Sequence, residues 1–540
     1  MSLTTFEQAK DVLSFCVKNK IYFSSFNCEV KPSSAGGIGV FAKSDIDANT
    51  VLLRVPKSAV FSASNSSIAN LLVDEEIDGV LALTLAFLYE REVFGPKSNW
   101  YSYLQTIQLN WDQESLYLPP SFWPSNRKRL MEQTALGTLF HGLDNEGEIL
   151  SAFSTAVEVS RKWHAEARLS PPSILQNDTS ANSLRFVATV FTISSRAFEV
   201  DAFHETALVP VADLFNHHAL HPDVRFESTY EVCTYCGEFG VCGHAEFDEE
   251  EANDAEIFHE GGIAQSRNLQ WVAAPEFVKE LEKEAAKQLK SSIKELIAKQ
   301  ISKTKPGSVS LSDLDPQECV DVVLMRGVEK HHEIFNSYGD LPNPLLLARY
   351  GFCVRDNPND LVHLAPELKK LCFLKKLDLK PCFLWWIQDG FLLFQEASGE
   401  VSEADGGRSS FTESIESDSD AENEIETNSD QLSDEWQQEL CLNSSADPSA
   451  ALKAFLNLLG MKSAQRAKFF EDVERNSISA VNKWLISKPL GTQARKLLNV
   501  VVKKKRNSYN SLLRSLHGNS KILVLSELHI IEKLLTNDGK

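Results

Sequence analysis

The chain lacks any apolar run long enough to cross a bilayer, a task that takes about 20 consecutive apolar residues. Its best candidate, CFLWWIQDGFLLF at 382–394, is short and interrupted by Gln388, Asp389 and Gly390, so it reads as the buried face of a helix. No membrane association is expected. The opening MSLTTFEQAKDVLSFCVKNK lacks the basic-then-apolar layout of a signal peptide and spaces its apolar residues as an amphipathic helix does. Cysteines are few, ten in 540 residues, and mostly stand singly in apolar surroundings. That argues against a disulfide framework and for a reducing compartment. Internal repeats are absent as well. Basic charge is scarce: 54 Lys and Arg against 75 Asp and Glu give a net charge of −21. Thirteen of those acids, against one arginine, fall within residues 400–435, a Ser- and Asn-rich stretch nearly free of aromatics. Such a segment cannot bury enough apolar surface to order itself, and 399–435 reads as a disordered linker. The rest of the body is only mildly acidic. This disfavours direct nucleic-acid binding and suits a basic protein partner.

What is present is globular. Hydrophobic content of 43% and charged content of 24% are ordinary. The length implies two or three domains. Residues 26–63 alternate short apolar runs with Gly, Asn and Asp turns, as strands do. From about 66 to 200 the pattern turns helical, with helices expected at 80–94, 146–168 and 181–199. VRFES (224–228) reads as a strand, and β character returns at 319–339. Residues 229–302 look inserted, ending in a charged helical stretch from 274. Beyond 360 the chain looks helical, broken by the acidic linker.

Four segments draw attention. AGGIGVFA sets Gly37, Ile38 and Gly39 ahead of a strand, as in a hairpin turn or a loop that approaches a ligand closely. SSRAFEV carries Arg196, whose guanidinium suits a surface position, a structural ion pair or a bidentate carboxylate clamp. LVPVADLFNHH drives Asp213, Asn216, His217 and His218 into an apolar run, although an unpaired buried polar group costs about 1–3 kcal/mol. EIFNSYGDLPNPLLLARYGF sets Tyr338 and Tyr350 in front of glycines, where a core role is the alternative to a site role.

In this order the four segments resemble the SET-domain protein methyltransferases, in the branch that includes the Rubisco large-subunit lysine methyltransferase and fungal enzymes acting on ribosomal proteins and elongation factors. The matches span roughly residues 20–355. The resemblance implies an α+β fold: a β-rich SET domain at 1–355 with a pseudoknot and a helical insert at 66–190, then an all-α C-terminal substrate-binding lobe at 356–540. It implies S-adenosyl-L-methionine as cofactor, held by Gly37, Ile38, Gly39, Arg196, Asn216, His217 and Tyr350. Tyr350 corresponds to the tyrosine of methyl transfer and Tyr338 to one lining the lysine channel, with Asp213 nearby. Two departures stand out: His218 where Ser or Thr is frequent, and Gly36 where a larger polar residue often stands.

The implied activity is lysine N-methylation of a non-histone protein, with a ribosomal protein or translation factor as partner. The alternatives are an inactive SET scaffold that binds a protein through its helical lobe, and a histidine methyltransferase. A monomer is expected, in the cytoplasm or alternatively the nucleus. Lys503, Lys504, Lys505 and Arg506 read either as a nuclear-localisation patch or as a solvated helix face. His331 and His332 read as surface residues or as the pocket mouth. Separately, Cys233, Cys236, Cys242 and His244 give C-x2-C-x5-C-x-H, which matches a structural zinc knuckle or a loop with incidental cysteines.

Overall fold

The computed structural model of the protein describes residues 5–34, 37–111, 117–139, 146–230, 232–240, 242, 244, 309–374, 378–399 and 432–537. Its described residues form two compact units, one from 5–118 with 147–339 and the other from 119–146 with 340–537. The division after Gly339, and the assignment of 119–146 to the second unit, differ from the expected boundary at 355 and from a single insert at 66–190.

The first unit is built on short strands. Tyr22–Phe23 (β1), Cys28–Pro32 (β2), Ile38–Ala42 (β3) and Val51–Pro56 (β4) occupy the stretch that read as strands and turns. Ala197–Glu199 (β5), Thr206–Leu208 (β6), Val224–Glu227 (β7) and Cys319–Leu324 (β8) follow. One antiparallel sheet runs β1-β4-β8-β7, while β2 pairs with β3 and β5 with β6. The central strand β8, CVDVVL, is buried along its whole length. Its one charge explains the burial: Asp321 lies opposite Arg54 of β4, and the two form a bidentate pair at 2.8 and 2.6 Å. The fork satisfies both groups where little water reaches them.

Packed with the sheet are Gly79–Leu88, apolar on all sides and therefore buried, and Ser180–Ser194. Leu53, Phe61, Leu83, Phe87, Phe186 and Leu208 share one core with Val320 and Leu324. Each such side chain contributes about 1.5–3 kcal/mol through burial. The helix expected over 181–199 stops at Ser194. There the Ser194 and Ser195 hydroxyls bond back to the Phe191 and Thr192 carbonyls, and the chain turns into β5. The β character expected throughout 319–339 is likewise confined to β8, and the rest makes isolated bridges.

The second unit is helical except for one two-residue ladder, Val362–His363 (β9) with Cys441–Leu442 (β10), so it is not entirely α. Trp386 and Phe391 of the 382–394 stretch are buried in it. Lys505 departs from both readings of the basic patch: it is buried and bonds to Glu367 at 3.2 Å and to the His363 carbonyl at 2.5 Å. Residues 400–431 of the acidic linker lie outside the described residues. Its last part, from Leu432, opens a helix that runs to Glu439. The charged stretch at 274–301 also lies outside the described residues. Among the described residues, no helix is long and apolar enough to cross a membrane.

Candidate active site

The polar run 208–218 begins as a strand and is then bent. Val211 is fully buried and adopts φ +73°, a region that a β-branched residue occupies at a cost of roughly 1–3 kcal/mol. This turns the chain into the tight 3-10 helix Ala212–Leu214 and directs Asn216 and His217 across a second segment, 333–338. His217 bridges Asn336 in parallel. The Asn336 N–H donates to the Asn216 carbonyl at 2.8 Å, and the His218 N–H donates to the Asn336 carbonyl at 2.9 Å. On the other side, 332–334 bonds to Val40 and Ala42 of β3. The segment 332–338 is thus threaded between β3 and the Asn216–His217 run, as the resemblance implies.

Asp223 ties the crossing. Its carboxylate accepts the Phe335 N–H at 2.9 Å and the Arg326 guanidinium at 2.8 Å. His217 Nδ1 accepts the Tyr338 N–H at 3.0 Å, so Nδ1 is unprotonated and the neutral ring carries its proton on Nε2. Tyr338 in turn donates its hydroxyl to the Phe215 carbonyl at 3.3 Å.

The glycine loop meets this crossing. Gly37 has φ +63°, which favours glycine, and Gly39 runs so close beneath the site that a Cβ there would overlap the Glu333 carboxylate and lie 2.9 Å from Asn216 Nδ2. Asn216 Nδ2 donates to Glu333 at 2.7 Å and to the Ile38 carbonyl at 3.4 Å. Ser33 holds the other Glu333 oxygen at 2.8 Å. Gly36 lies outside the described residues.

Arg196 reaches Asp213 at 3.4 Å. The Asp213 side chain is 2% exposed and that of Arg196 is 38% exposed, so the guanidinium remains reachable by a ligand carboxylate. Burial pushes Asp213 up from the usual carboxylate range, against the pull of Arg196 and Tyr103. Burial also raises Tyr103 well above the ordinary phenol value, with Asp213 adding to it. Tyr117 is pushed up to about 12 by burial, with Arg196 opposing. These two phenols remain protonated around the pair.

No family model matches the chain. Over its whole length, however, it is 37% identical to ribosomal lysine N-methyltransferase 3 of Saccharomyces cerevisiae, with 99% of each chain covered. The chain belongs to the SET-domain lysine N-methyltransferases. N-lysine methyltransferase SETD6 of Mus musculus is 26% identical over 35% of this chain and 40% of its own. A structure of Rubisco LSMT bound to AdoMet covers 98% of this chain and 90% of that one, at 13% identity and a TM-score of 0.43.

In this methyltransferase Gly37, Ile38, Gly39, Asn216, His217 and Tyr338 come together in the first unit, with Arg196 joined to the Asn216 segment through Asp213. Tyr350 belongs to the second unit, where it ends the helix Asn343–Tyr350 before Gly351, whose φ of +72° terminates the helix. Burial raises Tyr350 above the ordinary phenol value, with Arg349 opposing, and so keeps its hydroxyl protonated. His331 and His332 are exposed. His218 turns away to receive the backbone N–H groups of Leu220 and His221. The four ligand atoms of Cys233, Cys236, Cys242 and His244 lie within 4.8 Å of one another. Glu333, Ser33, Tyr103 and Asp223 were not singled out in the sequence.

Proposed function

We propose that this SET-domain enzyme methylates a lysine of a ribosomal protein, with S-adenosyl-L-methionine as donor, that Gly37, Ile38, Gly39, Arg196, Asn216, His217 and Tyr338 of the first unit hold the donor and line the lysine channel, and that Tyr350 is the tyrosine of methyl transfer. The observation that carries the reading is the crossing of Asn216–His217 with 333–338 directly over Gly39. The donor set fits an amino-acid end group. The Ile38 carbonyl and the Glu333 carboxylate suit an ammonium, and the reachable Arg196 suits a carboxylate.

When bound, S-adenosyl-L-methionine supplies an electrophilic methyl group beside a fixed positive charge. A lysine can accept that methyl only as the neutral amine, and a free pKa of about 10.4 leaves well under ~1% neutral at pH 7. Desolvation and a neighbouring positive charge both lower that value. The chain therefore needs to align groups rather than provide a nucleophile, and alignment lowers the barrier by several kcal/mol. Tyr338, fixed by its hydroxyl on the Phe215 carbonyl and its N–H on His217, lines the amine channel in this reading. Tyr350, kept protonated, orients the reacting groups by its hydroxyl. The ribosomal substrate is supported by the name of the yeast relative that matches end to end and by the mildly acidic body of this chain.

The test is incubation of the purified chain with S-adenosyl-L-methionine and ribosomal subunits lacking the modification, followed by peptide mass spectrometry. Methylation of a lysine in one ribosomal protein is expected. Methylation confined to histidine, or methylation of no ribosomal protein by a folded chain that binds the donor, would overturn the substrate assignment.

A further inference from the structure

Beyond the transferase site, the loop after β7 gathers Cys233, Cys236, Cys242 and His244 with all four ligand atoms within 4.8 Å of one another. His244 Nδ1 lies 3.7 Å from both the Cys233 and the Cys242 sulfur. With Zn–S near 2.3 Å and Zn–N near 2.05 Å, the S···N edge of a tetrahedral zinc site is about 3.6 Å. A single imidazole nitrogen accepts one in-plane hydrogen bond, so two sulfurs equidistant from it are better accounted for by a shared ion.

The backbone is shaped to the same end. The Gly237 N–H donates to the Cys233 carbonyl at 2.8 Å, and the Cys233 N–H donates to the Glu238 carbonyl at 3.0 Å. Gly237 (φ +71°) and Gly240 (φ +84°) supply the left-handed bends. Among the described residues of the loop, the large side chains Tyr230, Tyr235 and Phe239 are all substantially exposed. Segments this small are usually held together by a metal or by disulfides.

We propose that Cys233, Cys236, Cys242 and His244 bind one zinc ion tetrahedrally and that this knuckle seats its own loop against the turn between β5 and β6. Four protein ligands leave no open position, so the ion is structural. The seat is visible at two points. A Cβ on Gly237 would come within 2.5 Å of the Phe203 ring. Lys57, buried, joins the Tyr230 carbonyl at 2.6 Å to Asp201 at 2.8 Å. Phe203 and Asp201 lie in the turn between β5 and β6, and β6 leads into the Asn216–His217 run.

The test uses the full-length chain. Elemental analysis after dialysis should find one zinc per chain. Cobalt(II) exchanged into the same protein should show thiolate-to-metal charge transfer and the intense visible bands of a tetrahedral site. Cys236→Ser and His244→Ala should each lower zinc occupancy sharply. Zinc-free wild-type protein that is folded, a cobalt spectrum without thiolate bands, or full occupancy in either variant would each overturn the assignment. The wild-type measurements decide the question even if a variant fails to fold.

Discussion

Gly39→Ala separates the fold from the site. Gly39 has an ordinary φ, so alanine suits its backbone, but the added Cβ would overlap the Glu333 carboxylate and press on Asn216 Nδ2 at 2.9 Å. Both are the far ends of half-buried side chains and can swing aside to where water takes over their hydrogen bonds, so the cost to stability should be at most about 1 kcal/mol, while donor binding loses the ordered partners. Swinging aside breaks the 2.7 Å hydrogen bond between them and frees Asn216 from Ile38. Hydrogen bonds to a charged group contribute about 1.5–3 kcal/mol. At 1.4 kcal/mol per decade, the dissociation constant for S-adenosyl-L-methionine should rise roughly 10- to 100-fold. Titration calorimetry with the donor and a thermal melt measure the two quantities on one preparation. An unchanged dissociation constant in a variant with an unchanged melt would refute the idea that the Asn216–Glu333 pair belongs to the cofactor site.

Tyr350→Phe keeps the ring and loses the hydroxyl, so single-turnover methyl transfer should slow by on the order of 10²-fold while the melting temperature barely moves. Near-wild-type turnover would remove Tyr350 from the chemistry. Arg54→Ala leaves Asp321 buried without its partner and should destabilise the chain by about 3 kcal/mol, read from urea unfolding. Glu527, which accepts the Ala135 N–H at 2.9 Å and bonds to Tyr509, is raised by burial to about 7, with Lys505 opposing. Because its folded pKa lies above the unfolded value near 4.5, the folded chain holds this proton more tightly. Its contribution is therefore greatest below pH 4.5 and declines as pH rises to 7, by about 3 kcal/mol in all. In Glu527→Gln that decline should vanish, and an unaltered pH slope would contradict it.

The sequence announced the site where a local rule is broken. Asp213, Asn216 and His217 stand in an apolar run where each polar group must find a partner, and Gly37 and Gly39 flank the first residue of β3, where a hairpin turn was the other reading. Their order along the chain, with Arg196 and the two tyrosines, led to the family. Other features depend on partners far away in sequence. Glu333 becomes a site residue only because the threading brings Asn216 and Ser33 to it, and Asp213 finds Arg196 only after Val211 has bent the chain. The same limit hid the burial of Lys505, since three neighbouring basic residues mask a side chain whose partner, Glu367, lies in another helix. The short ladder between β9 and β10 offered no periodicity to read, because two residues cannot display one.

The most direct test of the methyltransferase account is transfer of radiolabelled methyl from S-adenosyl-L-methionine to ribosomes from cells lacking this gene, with the wild-type chain and Tyr350→Phe side by side. The account predicts one labelled ribosomal protein with the wild type and almost none with the variant. No label from a folded wild-type chain that also fails to bind the donor would contradict it.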